Sequence, residues 1–450
     1  MPRLTLVYPA IGRAPDRGYV RSWQMQPLAM AALAGLTPPE WNITFFDDRL
    51  EPVDDTLPTD LAAISIETFT ARRGYQLAAR FRRRGVPVIL GGYHATACPK
   101  EALMHADSVC VGEAEPVWAG VLADVVGGRL KPLYQSPPAP SLAGLRPNRS
   151  IFQGKPYFRL ALVESGRGCP FRCEFCSVSA FYGARHRRRP IPEIVAELRS
   201  LNARFVFFVD DNMLGDFDRA RELFTALKSL DLRWVSQAGL PSLNDESLLR
   251  DMAASGCVGL LVGFESLASS NLRIMGKSSN RAEDYRSALA RLRRAGISVY
   301  GTFLFGYPHD SSELYEETVR FSQSEQLYLA AFNHVIPFPG TPLHARLSAA
   351  GRLPAPAWWL REDYRFGQVP FSPESMSAKE IENRCHNARR KFYAMPSIIR
   401  RAADFRANCR GLRKSGAFFT LNLLLRREIN QKRGYPLGDP DEPPPSPASG

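Results

Sequence analysis

The sequence predicts an α/β protein built from two successive series of alternating strands and helices. From Leu4 to about Gly128, short apolar runs such as "LTLVYP" and "VPVILGG" alternate with helical patterns such as "ARRGYQLAARFRRRG". A second alternation begins at Phe158, and a segment rich in Pro and Ser separates the two. Continuous apolar strands that alternate with helices are typical of parallel sheets covered by helices on both faces. We therefore expect a parallel sheet in each series.

The first series, residues 1–135, supplies five predicted strands. They are "LTLVYP", "NITFFDD", "LAAISIE", "VPVILGG" and "SVCVGEAE". This alternation predicts a doubly wound, flavodoxin-like parallel sheet, in which loops at the carboxyl ends of the strands form the ligand crevice. Two pairs of residues lie in these loops and are candidate ligand-binding residues: Gly91 with Gly92, and Gly112 with Glu113.

Residues 136–157 form a predicted linker, and residues 158–345 supply six further strands. We expect these strands near residues 158–164, 204–209, 233–238, 258–264, 297–305 and 330–336. A complete (β/α)8 barrel has eight strands, so six predict an open, partial, TIM-like (β/α)6 barrel whose functional loops lie at the carboxyl ends of the strands. Residues 346–438 are expected to form a mostly helical C-terminal region, and residues 439–450 a disordered tail.

The 450-residue chain carries a net charge of +13. An excess of basic over acidic residues affects solubility and the choice of partners more than the fold. It favours a negatively charged partner, such as nucleic acid, an anionic membrane surface or an acidic small molecule. The charge is scattered, except for "RHRRR" (Arg185–Arg189) and the C-terminal third. No helix-turn-helix, aromatic RNA-binding motif or paired zinc knuckle accompanies it, so we expect no nucleic-acid partner.

The hydropathy pattern predicts a cytoplasmic protein. The first residues lack the pattern of a secretory signal, and no apolar run reaches the ~18 residues of a transmembrane segment. The longest run, "GAFFTLNLLL" (416–425), is followed by Arg426 and Arg427. This run predicts either a buried helix or a helix lying on a membrane surface, so peripheral membrane contact stays open. Eight cysteines in such a chain favour a metal or catalytic site over disulfides.

Three of the cysteines lie on one loop, directly after the first predicted strand of the second series. In "GRGCPFRCEFCSVSAFYG", Cys169, Cys173 and Cys176 follow a C-x3-C-x2-C spacing. Three thiolates at the mouth of a barrel can hold one inorganic centre. Structural zinc needs four ligands, usually in paired C-x2–4-C units, whereas a 4Fe–4S cluster held by three thiolates keeps one iron open. A zinc site completed by a distant His or Cys, or a chance trio, is the alternative.

This spacing, with an aromatic residue (Phe175) before the last cysteine, resembles the radical S-adenosylmethionine (SAM) superfamily. The resemblance implies that SAM chelates the open iron and that one electron from the cluster cleaves SAM to a 5′-deoxyadenosyl radical. Later strand ends show the same resemblance. One of them, "GLLVGFESLASSNLRIMGK", resembles the family's fourth-strand pattern and ends at Lys277. The implied SAM-binding residues are Phe175, Asp210, Asp211, Gln237, Glu265 and Ser266.

The first series resembles the cobalamin-binding domain that is fused to many radical SAM enzymes. The resemblance implies that eight residues around its strand ends bind cobalamin, which are Ser65, Thr68, Thr70, Gly91, Gly92, His94, Gly112 and Glu113. The cobalt-ligating motif D-x-H-x-x-G is absent, because none of the seven histidines has an aspartate two residues before it. A nucleotide-binding sheet is the alternative, but no G-x-G-x-x-G follows the first strand. With only Cys98 and Cys110, the first series also lacks the three cysteines typical of methylthiolating relatives.

The implied function is methylation of an unactivated carbon in a small-molecule or lipid substrate, by an enzyme with a 4Fe–4S cluster, SAM and cobalamin. In the implied relay, cobalamin carries a methyl group from one SAM while a second SAM supplies the radical. An electron donor such as flavodoxin or ferredoxin is also implied. The sequence does not identify a catalytic acid or base. Trp358, Trp359 and Tyr364 in "PAWWLREDYRFG" either shape the substrate pocket or pack together.

Two other functions stay open at this point. A radical SAM enzyme with the same domains could cyclise, oxidise or rearrange its substrate without methyl transfer. A non-catalytic sensor would bind cobalamin or zinc in the first half of the chain and nucleic acid through the basic second half, with "RHRRR" as a contact.

Overall fold

Two six-stranded parallel sheets form the framework of the protein. The computed structural model describes residues 1–14, 18–19, 24–277, 279–431 and 433–443. Each sheet takes its strands from one of the two series that the sequence predicts, so the α/β fold class is confirmed. Within these described ranges, no helix has both the length and the apolar character needed to cross a bilayer.

The first sheet is doubly wound, as expected. Its strands, together with a short antiparallel ribbon formed by the second and third, are β1 (Arg3–Tyr8), β2 (Arg13–Ala14), β3 (Gly18–Tyr19), β4 (Asn42–Asp47), β5 (Leu61–Ser65), β6 (Val88–Gly91), β7 (Ser108–Val111) and β8 (Leu133–Gln135). The helices are α1 (Leu28–Leu36), α2 (Ala71–Arg83), α3 (Tyr93–Ala97), α4 (Pro99–His105) and α5 (Trp118–Val126). The strand order is β4-β1-β5-β6-β7-β8 and every pairing is parallel, which confirms the flavodoxin-like prediction.

The first sheet contains one strand more than the sequence predicts. β8 pairs in parallel with β7, with Val109 opposite Leu133 and Val111 opposite Gln135. It is an edge strand in which only Tyr134 is buried. A strand of this length with one buried side chain produces no apolar run, and the expectation of five strands is therefore wrong by one edge strand.

The second sheet is an open barrel of six parallel strands. The elements of this half are β9 (Ala161–Val163), the ribbon strands β10 (Gly166–Arg167) and β11 (Arg187–Arg188), β12 (Phe205–Phe208), β13 (Arg233–Ala238), β14 (Cys257–Glu265), β15 (Ser298–Phe305) and β16 (Leu329–His334). The helices are α6 (Ser177–Tyr182), α7 (Ile191–Leu201), α8 (Phe217–Leu227), α9 (Glu246–Ala254), α10 (Ser269–Ile274), α11 (Tyr285–Arg294), α12 (Ser312–Ser324) and α13 (Pro342–Ala349). The order β9-β12-β13-β14-β15-β16 confirms the partial (β/α)6 barrel.

The C-terminal region covers the outer edge of the barrel. Its helices are α14 (Ala378–Phe392), α15 (Met395–Ala402) and α16 (Gly411–Glu428). α14 packs along β16, and the hydroxyl of Tyr393 donates to the carbonyl of Ala330 (2.9 Å) and accepts from its N–H (3.3 Å). An uncovered edge strand would offer its unpaired backbone groups to other chains. The helix and the tyrosine therefore close this edge.

The aromatic residues of the C-terminal region pack into the interior. Trp358, Trp359 and Tyr364 are all buried. The indole of Trp358 donates to the carbonyl of Pro337 (3.3 Å), and the indole of Trp359 donates to the carboxylate of Glu101 (3.0 Å). Of the two interpretations of "PAWWLREDYRFG", these contacts favour packing.

The first five residues of the expected disordered tail are packed against the first sheet. The side chain of Gln76 on α2 donates to the carbonyl of Asp439 and accepts from its N–H, both at 2.8 Å. The guanidinium of Arg73 pairs with Asp48 (2.9 Å) and with Glu442 (2.6 Å). Proline-rich composition predicted disorder, but buried polar partners on α2 order residues 439–443. Residues 444–450 lie outside the described ranges.

Replacing Gln76 by Leu tests whether this packing contributes to stability. The variant leaves the N–H and carbonyl of Asp439 without their buried partners, so we expect the free energy of unfolding to fall by about 1–3 kcal/mol. Urea unfolding followed by circular dichroism measures the change. Gln153→Leu, at an exposed position, is the matched control. Equal unfolding midpoints for the two variants would show that the tail adds nothing to stability.

Candidate active site

The cysteine loop is held by polar residues that follow the neighbouring strand. Asp210 accepts hydrogen bonds from the hydroxyl of Ser165 and from its backbone N–H (2.7 Å). Asp211 accepts from the N–H of Gly168 (2.8 Å). β9 and β12 are adjacent and parallel, so the residues that follow them meet at the same edge of the sheet. The two aspartates thus fix the start of the loop.

The next residue of that run contacts the first cysteine. The side-chain amide of Asn212 donates to Sγ of Cys169 (3.8 Å) and accepts from the N–H of Gly239 (3.3 Å). The loop can approach so closely because Gly168 has a φ of 86°, and a Cβ there would lie 1.9 Å from the carbonyl oxygen of Arg185. Asn212 follows directly after the two candidate aspartates, so the sequence already places it at this strand end.

The far side of the loop is tied to two later segments of the barrel. Glu174, directly after Cys173, donates its N–H to the carbonyl of Met275 (3.0 Å) and accepts from the N–H of Leu343 (2.9 Å). Its carboxylate pairs with the guanidinium of Arg346 at 2.7 and 3.1 Å. These bonds fix the middle of the cysteine loop independently of any ligand.

An ion pair lies beside the thiols at the end of β14. The register between β14 and β15 shifts between Gly263 and Glu265, and Glu265 has a φ of 66°, in the left-handed region. Its carboxylate accepts from the ammonium of Lys277 (2.7 Å). A Cβ on Gly263 would lie 2.2 Å from Oε1 of Glu265, so only glycine leaves room for the pair. Such irregularities re-aim side chains next to functional sites, at a cost in backbone strain.

Burial favours the neutral form of two of the loop thiols, those of Cys169 and Cys173. Burial raises the pKa of Cys173 to about 11 and also raises the pKa of Cys169, while the nearby Lys277 lowers both. Burial works against the charge of Lys277 itself, but Glu265 outweighs that effect and raises the pKa of the ammonium. A thiol that ligates a metal loses its proton, so metal binding here must displace protons beside a fixed positive charge.

The donor set fits an iron–sulfur cluster better than a single ion. Zinc holds sulfur ligands at ~2.3 Å, which places them within about 4 Å of one another. Across the described ranges, the one trio of ligand atoms that all lie within 4.8 Å of one another belongs to His94, Cys98 and Glu101. At least one pair of the three loop sulfurs therefore lies farther apart than 4.8 Å. Three soft thiolates on one loop suit an iron–sulfur centre that keeps one iron open.

The other predicted SAM-binding residues also lie at the barrel mouth. Phe175 is half-buried on the cysteine loop, and Gln237 is half-buried near the end of β13. Ser266 is buried after β14, where its hydroxyl accepts from the N–H of Ala268 (3.1 Å). The carboxylates of Asp210 and Asp211, in contrast, are engaged with the cysteine loop itself.

A cavity lies between the carboxyl edge of the first sheet and the cysteine loop. The first sheet contributes five of the predicted cobalamin-binding residues to its lining, which are Ser65, Gly91, Gly92, Gly112 and Glu113. The barrel half contributes Phe181 and Tyr182, both from α6, the helix that begins directly after Cys176. α1 adds an apolar wall, including Ala29 and Leu33. A ligand in this cavity would therefore lie between the first sheet and the cysteine loop.

An arginine bridges the two halves at this cavity. The guanidinium of Arg167 contacts carboxylates of Glu113 (2.6 Å) and Glu115 (2.7 Å) from the first sheet and Glu164 (2.7 Å) from its own half. Arg187 adds a second contact to Glu113 (2.8 Å). Burial works against the charge of Arg167, but the surrounding carboxylates outweigh it and raise its pKa. No sequence pattern predicted this clamp, because its members lie on three separate segments.

Two arginines of the "RHRRR" run are engaged inside the protein. Besides Arg187, Arg189 is buried and pairs with Glu197 (2.6 Å), while the half-buried Arg188 lies 3.9 Å from the exposed Asp216. These pairs occupy side chains that the nucleic-acid alternative requires on the surface.

Thr68, Thr70 and His94 do not reach the cavity. His94 is 0% exposed, with Nε2 2.9 Å from Glu101 and Nδ1 3.3 Å from the hydroxyl of Thr68. The hydroxyl of Thr70 accepts from the N–H of Glu67 (2.9 Å). The structure thus corrects the prediction that these three line the ligand edge: they follow the right strands, but their side chains turn into the interior.

The buried trio around His94 is an anchor. Besides His94, the carboxylate of Glu101 accepts from the hydroxyl of Tyr75 (2.8 Å) and from the indole of Trp359 (3.0 and 3.2 Å). Burial opposes the charge of Glu101, but these donors outweigh it and lower the pKa of the carboxyl. Because the oxygens are already satisfied, the network joins α4 to the C-terminal region and leaves Cys98 without a free carboxylate partner for a metal.

Comparison with known proteins adds family information. Residues 163–322 match the sequence model of the Radical SAM superfamily. The chain is 28% identical over 391 residues to bacteriochlorophyllide d C-12(1)-methyltransferase of Chlorobaculum tepidum, covering 83% of this chain and 84% of that one. It is 25% identical over 366 residues to hopanoid C-2 methylase of Rhodopseudomonas palustris, covering 77% and 68% of the two chains.

A solved structure shares the arrangement of the two sheets. The radical S-adenosylmethionine methyltransferase TsrM from Kitasatospora setae, solved with cobalamin and a [4Fe-4S] cluster bound, superposes with a TM-score of 0.65 at 17% identity. The match covers 88% of this chain and 89% of that one. At this identity the likeness concerns the fold.

Asp210 gives the site a predicted pH dependence. Burial raises the pKa of this carboxyl to about 7, although its bonds to Ser165 partly oppose the rise. A carboxyl whose pKa is higher in the folded state favours folding when protonated, so its contribution is lost as pH rises from about 4 to about 7. Asp210→Asn keeps a neutral side chain. We expect the stability of this variant relative to wild type to grow by up to about 1.4 kcal/mol per pH unit over that range.

Urea unfolding of wild type and variant at a series of pH values measures this difference. Asp231→Asn, at an exposed position, controls for the loss of one carboxylate. Parallel stability curves for wild type and Asp210→Asn would show that Asp210 titrates alike in the folded and unfolded chains.

Proposed function

We propose that this chain, whose residues 163–322 belong to the radical SAM superfamily, is a cobalamin-dependent radical SAM enzyme that methylates an unactivated carbon. The observation that carries the proposal is the cavity between the two sheets. It joins the ligand edge of the first sheet to α6, the helix that follows Cys176. A group bound in this cavity would lie next to the cysteine loop.

Cys169, Cys173 and Cys176 would hold a 4Fe–4S cluster with one open iron. The cluster would supply the electron that activates SAM, and cobalamin in the cavity would supply the methyl group. The residues of the chain position these groups. Asn212 lies at the sulfur of Cys169, and Lys277 places a positive charge beside the thiols. Phe175, Gln237, Glu265 and Ser266 are the proposed contacts to SAM.

The first sheet would hold cobalamin through the backbone of its strand ends. Gly91, Gly92 and Gly112 leave the edge of the cavity free of side chains, and Ser65 and Glu113 offer polar contacts. His94 is occupied by Glu101 inside the protein. This supports a cobalamin site in which His94 is not a ligand of the cobalt.

The substrate class, the electron donor and the compartment complete the proposal. The two relatives methylate a tetrapyrrole and a hopanoid by their names, which supports a large, mostly apolar small molecule or lipid as substrate. A flavodoxin or ferredoxin is the proposed source of electrons. All eight cysteines are free thiols, which supports the reducing cytoplasm as the compartment.

Methyl transfer is tested with SAM that carries a labelled methyl group. The anaerobically reconstituted enzyme, supplied with cobalamin, a reductant and a candidate substrate, should transfer label to a carbon of the substrate and release 5′-deoxyadenosine. A product formed without label would point to cyclisation, oxidation or rearrangement and would end the methylation proposal. The radical SAM assignment would survive that result, because 5′-deoxyadenosine would still appear.

Dependence on the cavity is tested with Ala29→Trp. Ala29 lines the cavity from α1 and is itself exposed, so the indole should fill the cavity without disturbing the core. We expect cobalamin binding, measured by titration of its visible spectrum, to weaken by about tenfold or more, with iron content unchanged. Ala123→Trp, on the exposed side of α5, is the matched control. Full cobalamin affinity in Ala29→Trp would place the cobalamin site elsewhere.

The cysteine loop is tested by single replacements. Each variant, Cys169→Ala, Cys173→Ala or Cys176→Ala, should lose most of the iron and acid-labile sulfide and all reductive cleavage of SAM. The reason is that the loop supplies only three ligands to the cluster, and each replacement removes one of them. Cys110→Ala and Cys257→Ala, two buried cysteines outside the loop, are the controls. Zinc in place of iron, or iron retained by all three variants, would contradict the cluster.

A further inference from the structure

The C-terminal hairpin, defined here as residues 395–428 with α15 and α16, concentrates exposed apolar side chains. Fifteen large hydrophobic side chains are exposed in the described ranges, and seven of them lie in this hairpin. Leu412 is 94% exposed, Phe405 is 74% exposed and Ile399 is 61% exposed. Single exposed apolar residues need no explanation, but a concentration of them marks a surface that contacts something else.

Part of this surface is an ordered stripe along α16. Leu412, Phe419 and Leu423 are spaced seven and four residues apart, and Gly416 fills the step between the first two. Positions at this spacing lie along one side of a helix. Phe418 and Asn422 are buried and form a separate line, which packs on the protein. α16 therefore has one apolar line that faces inward and another that faces outward.

Basic side chains accompany the apolar ones. Six arginines of the hairpin are exposed, which are Arg400, Arg406, Arg410, Arg413, Arg426 and Arg427. Asp404 is buried, where it accepts from Arg293 (3.1 Å) and from the N–H of Arg406 (3.0 Å). Glu428 is half-buried at the end of α16. The exposed side of the hairpin is thus apolar and strongly positive.

The hairpin is held firmly from beneath. The guanidinium of Arg401 is buried, donates to the carbonyl of Leu327 (2.9 Å) and to Asn422 Oδ1 (2.9 Å), and lies 3.8 Å over the ring of Phe392. Lys414 donates to the carbonyl of Gly296 (2.8 Å). These bonds fix both helices, so the apolar stripe cannot turn inward without breaking them.

We propose that the C-terminal hairpin is a docking surface for an anionic lipid bilayer. Apolar side chains along one side of a helix, flanked by arginines, suit the boundary between lipid headgroups and acyl chains. At this boundary the aliphatic stems of the arginines stay in apolar surroundings, while the guanidinium groups contact lipid phosphates. A second copy of the chain is a poorer occupant, because a two-fold interface would oppose six arginines with another six. This inference does not rest on the proposed methylation.

Flotation of the full-length protein with lipid vesicles tests the proposal. We expect it to float with phosphatidylcholine vesicles that contain phosphatidylglycerol, to stay unbound with phosphatidylcholine alone, and to be released by salt. Leu412→Ser/Phe419→Ser/Leu423→Ser should weaken binding by about tenfold or more. Arg406→Gln/Arg410→Gln/Arg413→Gln should do the same through loss of charge. Leu57→Ser/Met104→Ser/Val126→Ser, which removes exposed apolar side chains of the first half, is the matched control.

Two further measurements keep the result decisive. Leu412→Ser alone removes a side chain that contributes almost nothing to the core, so it should fold normally and still bind vesicles several-fold more weakly. Sedimentation equilibrium reports the oligomeric state. No flotation of the wild type, or equal binding of hairpin and control variants, would overturn the proposal. A dimer that Leu412→Ser dissociates, without vesicle binding, would show that a second copy covers the hairpin instead.

Discussion

The contact of Arg167 with three carboxylates fixes the relation between the two halves of the protein. Glu113 and Glu115 follow β7 of the first sheet, while Arg167 stands two residues before Cys169. A buried guanidinium is stable only when its partners are complete, and breaking such a cluster by removing one member is costly. Together with the pair of Arg187 and Glu113, this cluster holds the ligand edge of the first sheet beside the cysteine loop, and the cavity lies between them.

The C-terminal region completes this arrangement by binding back to the first sheet. Trp359 donates to Glu101, Arg72 pairs with Glu362 (3.2 Å), and Gln76 holds the backbone of Asp439. All three contacts join α2 or α4 to segments far away in sequence. These contacts place described segments of the C-terminal region against the first sheet, while α14 packs along β16 of the barrel. The C-terminal region therefore contacts both halves of the protein.

The sequence was sufficient for features that repeat or that combine distinctive residue types. Eleven of the twelve strands of the two sheets come from apolar runs, and the cysteine trio comes from its spacing. The sequence did not predict features that depend on the orientation of a single side chain. His94 and Gly92 lie two residues apart after the same strand, yet one turns into the interior and the other lines the cavity. Composition likewise could not show that Gln76 offers two hydrogen bonds to the tail.

Residues from several segments of the barrel hold the cysteine loop in place, and the chemistry of its thiols explains why. Neutral thiols are easily buried, and burial raises the pKa of Cys169 and of Cys173. Once they ligate a metal they become anions, and burial then favours a nearby positive charge. Lys277 supplies that charge, and the neighbouring Glu265 raises the pKa of its ammonium, which favours the charged form. Asp210 and Asp211 hold the loop by its backbone, and Glu174 on the loop bonds two later segments of the barrel. These contacts involve none of the three thiols, so they position the loop without using the groups that would bind a metal.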